Sequence, residues 1–111
     1  SDCDSNKDHQ IVYNYSIIAT RPGSGVNNLI SYEVLSSTEW GFSDPFCPNL
    51  FFSLSDGNVD QKVEAMKFYD TEVKEFPYPR SSKGIRSLAN FRGLQSGHES
   101  AEAFKIVRSF V

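Results

Sequence analysis

The first regular pattern of hydrophobic positions follows a polar stretch of seven residues. From Asp8 onward, apolar side chains recur with the spacing i, i+1, i+4, i+7, i+8, which is typical of an amphipathic α-helix. The members of this stripe are Ile11, Val12, Tyr15, Ile18 and Ala19. Asp8 suits the start of the helix as a cap and as a negative charge, and the helix must end before Pro22. Tyr13 and Ile17 lie outside the stripe, so we expect the helix to be covered on more than one side.

Two short segments have the pattern of β-strands. Residues 29–35 alternate, with Ile30, Tyr32 and Val34 on one face. Residues 50–54 are apolar on both faces, which predicts a buried strand. The loop between them is rich in aromatic residues, and we expect it to place them near one rim of the sheet. These residues are Trp40, Phe42 and Phe46.

Two further helices are predicted in the second half of the chain. Residues 58–73 carry an apolar face that consists of Val59, Val63, Met66 and Tyr69. Prolines fix residues 75–80 as an extended segment. Ser81 or Ser82 then caps a third helix, which carries Ile85, Leu88, Ala89 and Arg92 and ends at Gly93.

The tail, residues 101–111, fits two patterns. Phe104, Ile106 and Phe110 would share a strand face, whereas Ala101, Phe104, Val107 and Val111 would share a helix face, and periodicity leaves both open. With about three helices and three strands, the pattern predicts an α/β fold. The length of 111 residues and mass of 12.5 kDa fit one domain.

Composition excludes some classes of function. A net charge of −3 and scattered basic residues give no electrostatic case for nucleic acid. No apolar run approaches the roughly 20 residues of a membrane span, and no secretory signal is present. Two cysteines do not make a disulfide framework, so we expect a reduced, cytoplasmic protein. Because the chain starts at Ser1 and its one methionine is Met66, we expect a processed or truncated start.

The run Asn6-Lys7-Asp8-His9 is the strongest candidate for chemistry. Its histidine lies among polar, capping-type residues, where an imidazole stays accessible and can bind a metal. Without other information, a lone surface histidine and plain helix capping explain the same residues. His98 follows a glycine in a turn-like segment and is better explained as a solvated loop residue. A site made from Cys3, His9 and Cys47 matches no spacing of structural zinc ligands.

Several segments, in order and over nearly the whole chain, resemble the LmbE/PIG-L family of zinc-dependent de-N-acetylases. They are Asn-Lys-Asp-His-Gln-Ile-Val-Tyr at 6–13, Tyr-Glu-Val-Leu-Ser-Ser-Thr-Glu-Trp at 32–40, Pro-Asn-Leu-Phe at 48–51, Lys-Val-Glu-Ala-Met-Lys-Phe-Tyr at 62–69, Pro-Tyr-Pro-Arg-Ser at 77–81, Arg-Gly at 92–93 and Gly-His-Glu-Ser-Ala-Glu-Ala-Phe at 97–104. The resemblance implies that residues 1–111 are equivalent to the C-terminal half of a Rossmann-like fold. It also favours a strand for the tail, running into an edge of the sheet.

What the resemblance implies about activity is zinc-dependent removal of an acetyl group from N-acetylglucosamine units on a carrier. The family holds zinc with His and Asp from an early Ala-His-Pro-Asp-Asp-Glu motif and with a later His, which matches His9. An Asp of the early motif is the general base. No His-Pro-Asp-Asp occurs in this sequence, so two metal ligands and the base are lacking and the chain is expected to be inactive alone.

The same resemblance implies roles for further residues in a complete enzyme. Substrate contacts are expected from Asn6, Asp8, Glu39, Trp40, Arg80 and Arg92. Each of these residues also has a purely structural explanation. Asn6, Asp8 and Glu39 could cap helices, Trp40 could pack within its loop, and the two arginines could form internal ion pairs. The competing function is a non-catalytic binding or interaction module, which self-associates or pairs with a missing N-terminal half through an uncovered sheet edge.

Overall fold

A computed structural model describes all residues, 1–111, as a mixed α/β fold. Its main elements are α1 (Lys7–Ala19), β1 (Asn28–Tyr32), β2 (Leu50–Ser53), α2 (Asp56–Lys67), α3 (Ser82–Ser96) and β3 (Ala101–Ser109), with a short 3₁₀ helix at Thr38–Trp40. Three helices and three strands are therefore confirmed. None of these helices combines the length and the apolar character needed to cross a bilayer.

The three strands form one sheet in the order β1-β3-β2. β1 and β3 run antiparallel, with Tyr32 opposite Phe104 and Asn28 opposite Ser109. The tail is thus a strand, as the resemblance favoured, but it is the central strand of the sheet rather than an edge. An antiparallel pair does not by itself indicate a Rossmann-like sheet, in which neighbouring strands are mostly parallel, so that part of the expectation stays a prediction.

The chain divides into two compact units. The first comprises residues 1–50 and 104–111, and the second comprises residues 51–103. In the second unit, α2 and α3 pack together and bury apolar side chains. The buried apolar residues of this unit are Val59, Val63, Ile85, Ala89, Ala101 and Ala103.

Local signals explain where the helices of the second unit begin and end. Ser55 precedes α2, and its side chain and that of Asn58 form a capping box, so this helix begins before the predicted residue 58. Ser81 caps α3 by accepting a hydrogen bond from the Gly84 amide at 3.0 Å. α3 ends at Gly97, whose φ of +75° is the left-handed conformation that glycine adopts readily. The helix therefore continues past Gly93, where the sequence prediction ended it.

Three predictions on burial and local conformation are wrong. The predicted stripe of α1 faces outward: Ile11, Tyr15 and Ile18 are 53%, 69% and 61% exposed, and no residue of α1 is buried. The half-buried residues of α1 include His9, Tyr13, Ser16 and Ile17 instead. β2 is not a buried strand, since Phe52 is exposed. Residues 75–80, predicted to be extended, form turns.

Candidate functional site

A buried carboxylate lies at the centre of the first unit. The side chain of Asp4 is fully buried and accepts four hydrogen bonds. The Asn6 amide donates to Oδ1 at 2.8 Å, while the other three donors meet at Oδ2. These donors are Thr38 Oγ1 at 2.8 Å, His9 Nδ1 at 3.0 Å and Ser37 Oγ at 3.1 Å. Full hydrogen bonding is what allows a charged group to remain in a buried position.

These hydrogen bonds determine the protonation state of Asp4. Burial on its own raises the pKa of a carboxyl, since it disfavours the charged form. The Asn6 amide and the side chains of His9, Thr38 and Ser37 stabilise the charged form, and together they hold the pKa of Asp4 below its ordinary value. Asp4 is therefore an anion at neutral pH, and an anion can only accept hydrogen bonds.

The contact with Asp4 fixes the imidazole of His9. Because the carboxylate only accepts, Nδ1 of the ring carries the proton in this pair, and the neutral ring keeps a lone pair on Nε2. The His9 side chain is 36% exposed, so the ring is held on one side and accessible on the other. A histidine whose second nitrogen donates to a carboxylate is the arrangement that proteins use for metal-ligating and proton-transferring imidazoles.

The N-terminal loop is fastened to the 3₁₀ helix by close backbone contacts. Ser5 donates from its amide and its hydroxyl to the Ser37 carbonyl, at 3.2 and 2.8 Å. Gly41 permits this approach, because a Cβ at that position would lie 2.1 Å from the Cys3 carbonyl oxygen. The position of Asp4 therefore depends on residues that lie more than thirty positions later in the sequence.

Asn6 and Asp8 lie beside this pair but act mainly on the helix. Asn6 is the N-cap of α1, and its side-chain oxygen accepts from the Asp8 amide at 2.9 Å. Asp8 is exposed in the first turn, where its charge favours the helix dipole. The carboxylate that bonds to the His9 ring is that of Asp4 and not that of Asp8, its neighbour in the sequence.

Glu39 and Trp40 lie on the 3₁₀ helix whose N-cap Ser37 and first residue Thr38 donate to Asp4. The Glu39 carboxylate accepts hydrogen bonds from the Ser36 and Ser37 amides, at 2.6 and 3.1 Å. This is the capping role that the sequence offered as the alternative to a substrate contact. Trp40 is 47% exposed and so remains open to a ligand. Of its predicted aromatic neighbours, Phe42 is exposed and Phe46 is buried.

Arg80 and Arg92 belong to the second unit, and each has an internal partner there. Arg80 Nη1 pairs with the Glu72 carboxylate, which is the internal ion pair given above as the alternative to a substrate contact. Arg92 is buried, and its Nη1 donates to Gln95 Oε1 at 2.7 Å. Both contacts are compatible with a mainly structural role for the two arginines.

A cavity of about 330 Å³ opens next to His9. It lies between the covered side of α1 and the strand β1, and its wall is mainly apolar. The principal apolar side chains are Val12, Tyr13, Leu29, Ile30, Val34 and Val107. Its volume is at the lower end of the range for small-molecule sites. His9 therefore borders a half-open cavity with a mainly apolar wall.

The donor set fits a metal only in part. His9 offers one oriented nitrogen, but nowhere in the chain do three His, Cys, Asp or Glu side chains come together in a group that could hold an ion. Cys3 and Cys47 are free thiols, the first buried and the second exposed, and they do not join His9 in such a group. One ligand cannot fix the geometry of zinc, which needs about three from protein.

Asp4 was missed by reasoning from sequence, which treated residues 1–7 as a loop. The only local signal is a carboxylate five positions before the histidine, in a polar segment. Its donors Ser37 and Thr38 are distant in sequence, so no periodic pattern connects them.

Comparison of this chain with protein-family models, with characterised proteins and with solved structures finds no match.

Proposed function

We propose that the first unit supplies the histidine corner of a zinc-dependent amide hydrolase that removes the acetyl group from an N-acetylated amino sugar. The observation that supports it is the Asp4–His9 pair, with 3.0 Å between Oδ2 and Nδ1 and an accessible imidazole. It agrees with the family resemblance of residues 6–13, in which the matching histidine is a zinc ligand. The remaining ligands and the general base would come from a segment bearing His-Pro-Asp-Asp.

The chain's own residues have defined tasks in this proposal. Asp4 holds the proton on Nδ1, so that Nε2 is the nitrogen left to bind the metal. Zinc, when bound, acidifies a water molecule and polarises the amide carbonyl. Trp40 offers an exposed aromatic face for a sugar ring. A cytoplasmic location belongs to the same proposal, in which both cysteines remain reduced thiols.

Reconstitution with a polypeptide that bears His-Pro-Asp-Asp tests this function. The mixture is dialysed, its zinc is measured by elemental analysis, and acetate release from N-acetylglucosamine is assayed. We expect His9→Ala to abolish zinc retention and acetate release, and Asp4→Asn to lower zinc affinity about 10- to 100-fold. The matched control is His98→Ala, which removes an exposed histidine of the second unit and should change neither. Zinc retention by His9→Ala equal to wild type would contradict the proposal.

The alternative function, an interaction module, is favoured by the outward face of α1. Ile11, Tyr15 and Ile18 expose a continuous apolar stripe, and exposed stripes of this kind commonly mark a contact with another chain. β1 is also an edge strand of the sheet. If this module self-associates, sedimentation velocity will show a concentration-dependent dimer that Ile18→Asp abolishes. A monomer at millimolar concentration would leave the stripe without a partner of its own kind.

A further inference from the structure

The cavity beside His9 follows the edge of strand β1. Four consecutive residues, Leu29 to Tyr32, line it. Because the side chains of a strand alternate between the two faces of its sheet, a cavity that touches all four residues lies along the edge of the strand. In the sheet order β1-β3-β2, β1 has a neighbour on one side only. The cavity therefore opens beside the free edge of β1.

The backbone groups on this free edge are identified from the other side of β3. The Asn49 amide donates to the Phe104 carbonyl at 2.9 Å, and the Ile106 amide donates to Asn49 Oδ1 at 2.7 Å, so both β3 residues direct these groups away from β1. The residues opposite them are Tyr32 and Ile30. Opposite residues of an antiparallel pair turn their backbone groups toward each other or away together. The N–H and C=O groups of Ile30 and Tyr32 therefore point out of the sheet, where no other segment bonds to them.

Two donors and two acceptors in this arrangement match the backbone of an extended polypeptide. Ile30 and Tyr32 are about 7 Å apart, twice the rise of a strand residue, and an added strand repeats its own groups at the same interval. A helix uses its backbone groups internally and has none to offer along its side. Free edges bind extended peptides in this way, while pockets beside them accept alternate side chains. The edge is accessible, since Ile30 is 44% and Tyr32 60% exposed.

The cavity selects apolar side chains from such a strand. Its wall carries Val12 and Tyr13 on the side of α1, and Leu29, Val34 and Val107 on the side of the sheet. Val12 is 65% exposed, so a side chain enters the cavity past it from solvent. An added strand turns every second side chain toward this wall, and those residues are therefore apolar.

The edge fits a segment of a different chain better than a second copy of β1. A second copy would turn Leu29 toward the cavity, but this residue already lines the cavity of its own copy. The area leads to the same conclusion, because the five residues of β1 offer far less than the roughly 800 Å² per partner of a stable interface. The contact therefore suits a transient complex with a peptide segment.

We infer that the free edge of β1 binds an extended segment of a partner protein as a fourth strand of the sheet, with apolar side chains at alternate positions in the cavity beside α1. This inference rests on the alternative function, the interaction module, and names its partner; it needs neither zinc nor an amide substrate. The outward stripe of α1 is a separate surface, because Ile11, Tyr15 and Ile18 do not line the cavity.

Amide hydrogen exchange in the 111-residue chain tests this inference. The probe is the peptide acetyl-Lys-Thr-Val-Thr-Leu-Thr-Val-Thr-Lys-amide, in which apolar residues alternate. Without it, the Ile30 and Tyr32 amides should exchange fast, whereas the Ser31 amide, which faces β3, is protected. With the peptide at millimolar concentration, exchange at Ile30 and Tyr32 should slow at least about tenfold, because strand addition gives both amides a partner. Amide chemical shifts give the dissociation constant, which we expect to be below about 1 mM.

Two kinds of control peptide identify strand addition. N-methylation of the Val and Leu residues and N-methylation of the Thr residues remove amide hydrogens from opposite edges of the peptide. One of these modifications should abolish binding and the other should preserve it, since only one edge of the peptide pairs with β1. A peptide of the same composition, with its Val and Leu residues adjacent, should bind at least about tenfold more weakly, because its apolar side chains no longer share a face.

Three protein variants locate the site. Val12→Glu places a charge beside the apolar wall and should weaken binding at least about tenfold. Its matched control is Leu94→Glu, at an apolar residue of α3 that is 80% exposed, which should leave binding unchanged. Ile30→Pro removes an edge amide that does not bond to β3, so it should abolish binding and keep the fold. Spectra of the free variants establish folding; if Ile30→Pro unfolds, Val12→Glu decides.

Four results would overturn the inference. They are failure of the probe peptide to bind at millimolar concentration, slow exchange at Ile30 and Tyr32 in the dilute free chain, and binding that survives both N-methylations or Val12→Glu. The fourth is protection of the two amides that rises with protein concentration, which would assign the edge to a second copy.

The outcome is separate from that of the zinc-dependent hydrolase. If the expected peptide binding is observed while the reconstituted protein retains no zinc, the hydrolase proposal fails and the assignment of the edge stands. Zinc retention by a chain that does not bind the peptide has the reverse meaning.

Discussion

The two units of this chain bury different kinds of residue. In the second unit, α2 and α3 turn their apolar stripes toward each other and bury Val59, Val63, Ile85 and Ala89. In the first unit, α1 buries none of its residues, and the buried positions elsewhere are mainly polar. These polar positions are Asp4, Ser31, Ser36, Ser37 and Thr38.

This difference separates stability from chemistry. Apolar burial stabilises a fold without requiring directional partners, whereas buried polar groups must each find a hydrogen-bond partner. In the first unit the buried Asp4 carboxylate has its hydrogen-bond donors, whereas the hydroxyl of Ser31, a residue that lines the cavity, has no partner. Departures from an apolar core of this kind are expected where a protein binds or reacts, so the first unit is the place to look for function.

The largest expected effect compares the same substitution in two helices. Ile85 in α3 is 4% exposed, and Ile18 in α1 is 61% exposed. Ile85→Ala should lower the free energy of unfolding by about 2–5 kcal/mol, because it leaves a cavity in the second unit. Ile18→Ala should change it by no more than about 0.5 kcal/mol, since the side chain is already in water and alanine favours the helix. Urea denaturation at one protein concentration measures both.

Similar losses of stability in the two variants would contradict this prediction. If Ile18→Ala costs as much as Ile85→Ala, then the outward stripe of α1 is covered in solution. The cost would then grow with protein concentration for a self-associating chain, because association stabilises the folded state by mass action. Equal costs at every concentration would mean that α1 packs differently from the structure described above.

Sequence patterns predicted the starts and the inward faces of α2 and α3 to within a few residues, because local signals and burial agree there. The predicted end of α2 at residue 73 is wrong, since the helix ends at Lys67 and Tyr69 lies exposed beyond it. Ser81 and the spacing of Ile85 and Ala89 define both the start and the inward face of α3. For α1 the pattern predicted the helix but the wrong face. Periodicity reports which residues share a side, and it cannot tell whether that side meets the same chain, another chain or a ligand.

The candidate site was predictable only in part, for a related reason. His9 was found because its polar neighbours in the sequence mark an accessible position. Asp4, which fixes the ring, was not found, since its role depends on contacts with Ser37 and Thr38 across more than thirty residues. The strand at residues 101–109 shows the same limit, because its pairing partner β1 decided what its own pattern left open.

A smaller expected effect compares two aspartates of the first unit. Asp4→Asn presents amide hydrogens to Thr38 or the Asn6 amide, which are donors themselves, and it should lower the free energy of unfolding by about 1–3 kcal/mol. Asp8→Asn removes an exposed charge from the first turn of α1 and should cost about 0.3–1 kcal/mol. Urea denaturation at pH 7 gives both values. Equal costs would mean that the Asp4 carboxylate is not buried and bonded as described.

The cost of Asp4→Asn should also depend on pH in a defined direction. The folded pKa of Asp4 lies below the unfolded value of about 3.9, so the unfolded chain takes up its proton first as pH falls. The stability that its charge contributes is therefore complete above about pH 5, declines from about pH 4 and is lost once the pH has fallen through the folded pKa. Urea denaturation between pH 3 and pH 7 should show the wild-type advantage over Asp4→Asn shrinking at the acidic end. An advantage that grows on acidification would mean that burial, rather than the four hydrogen bonds, controls this carboxyl.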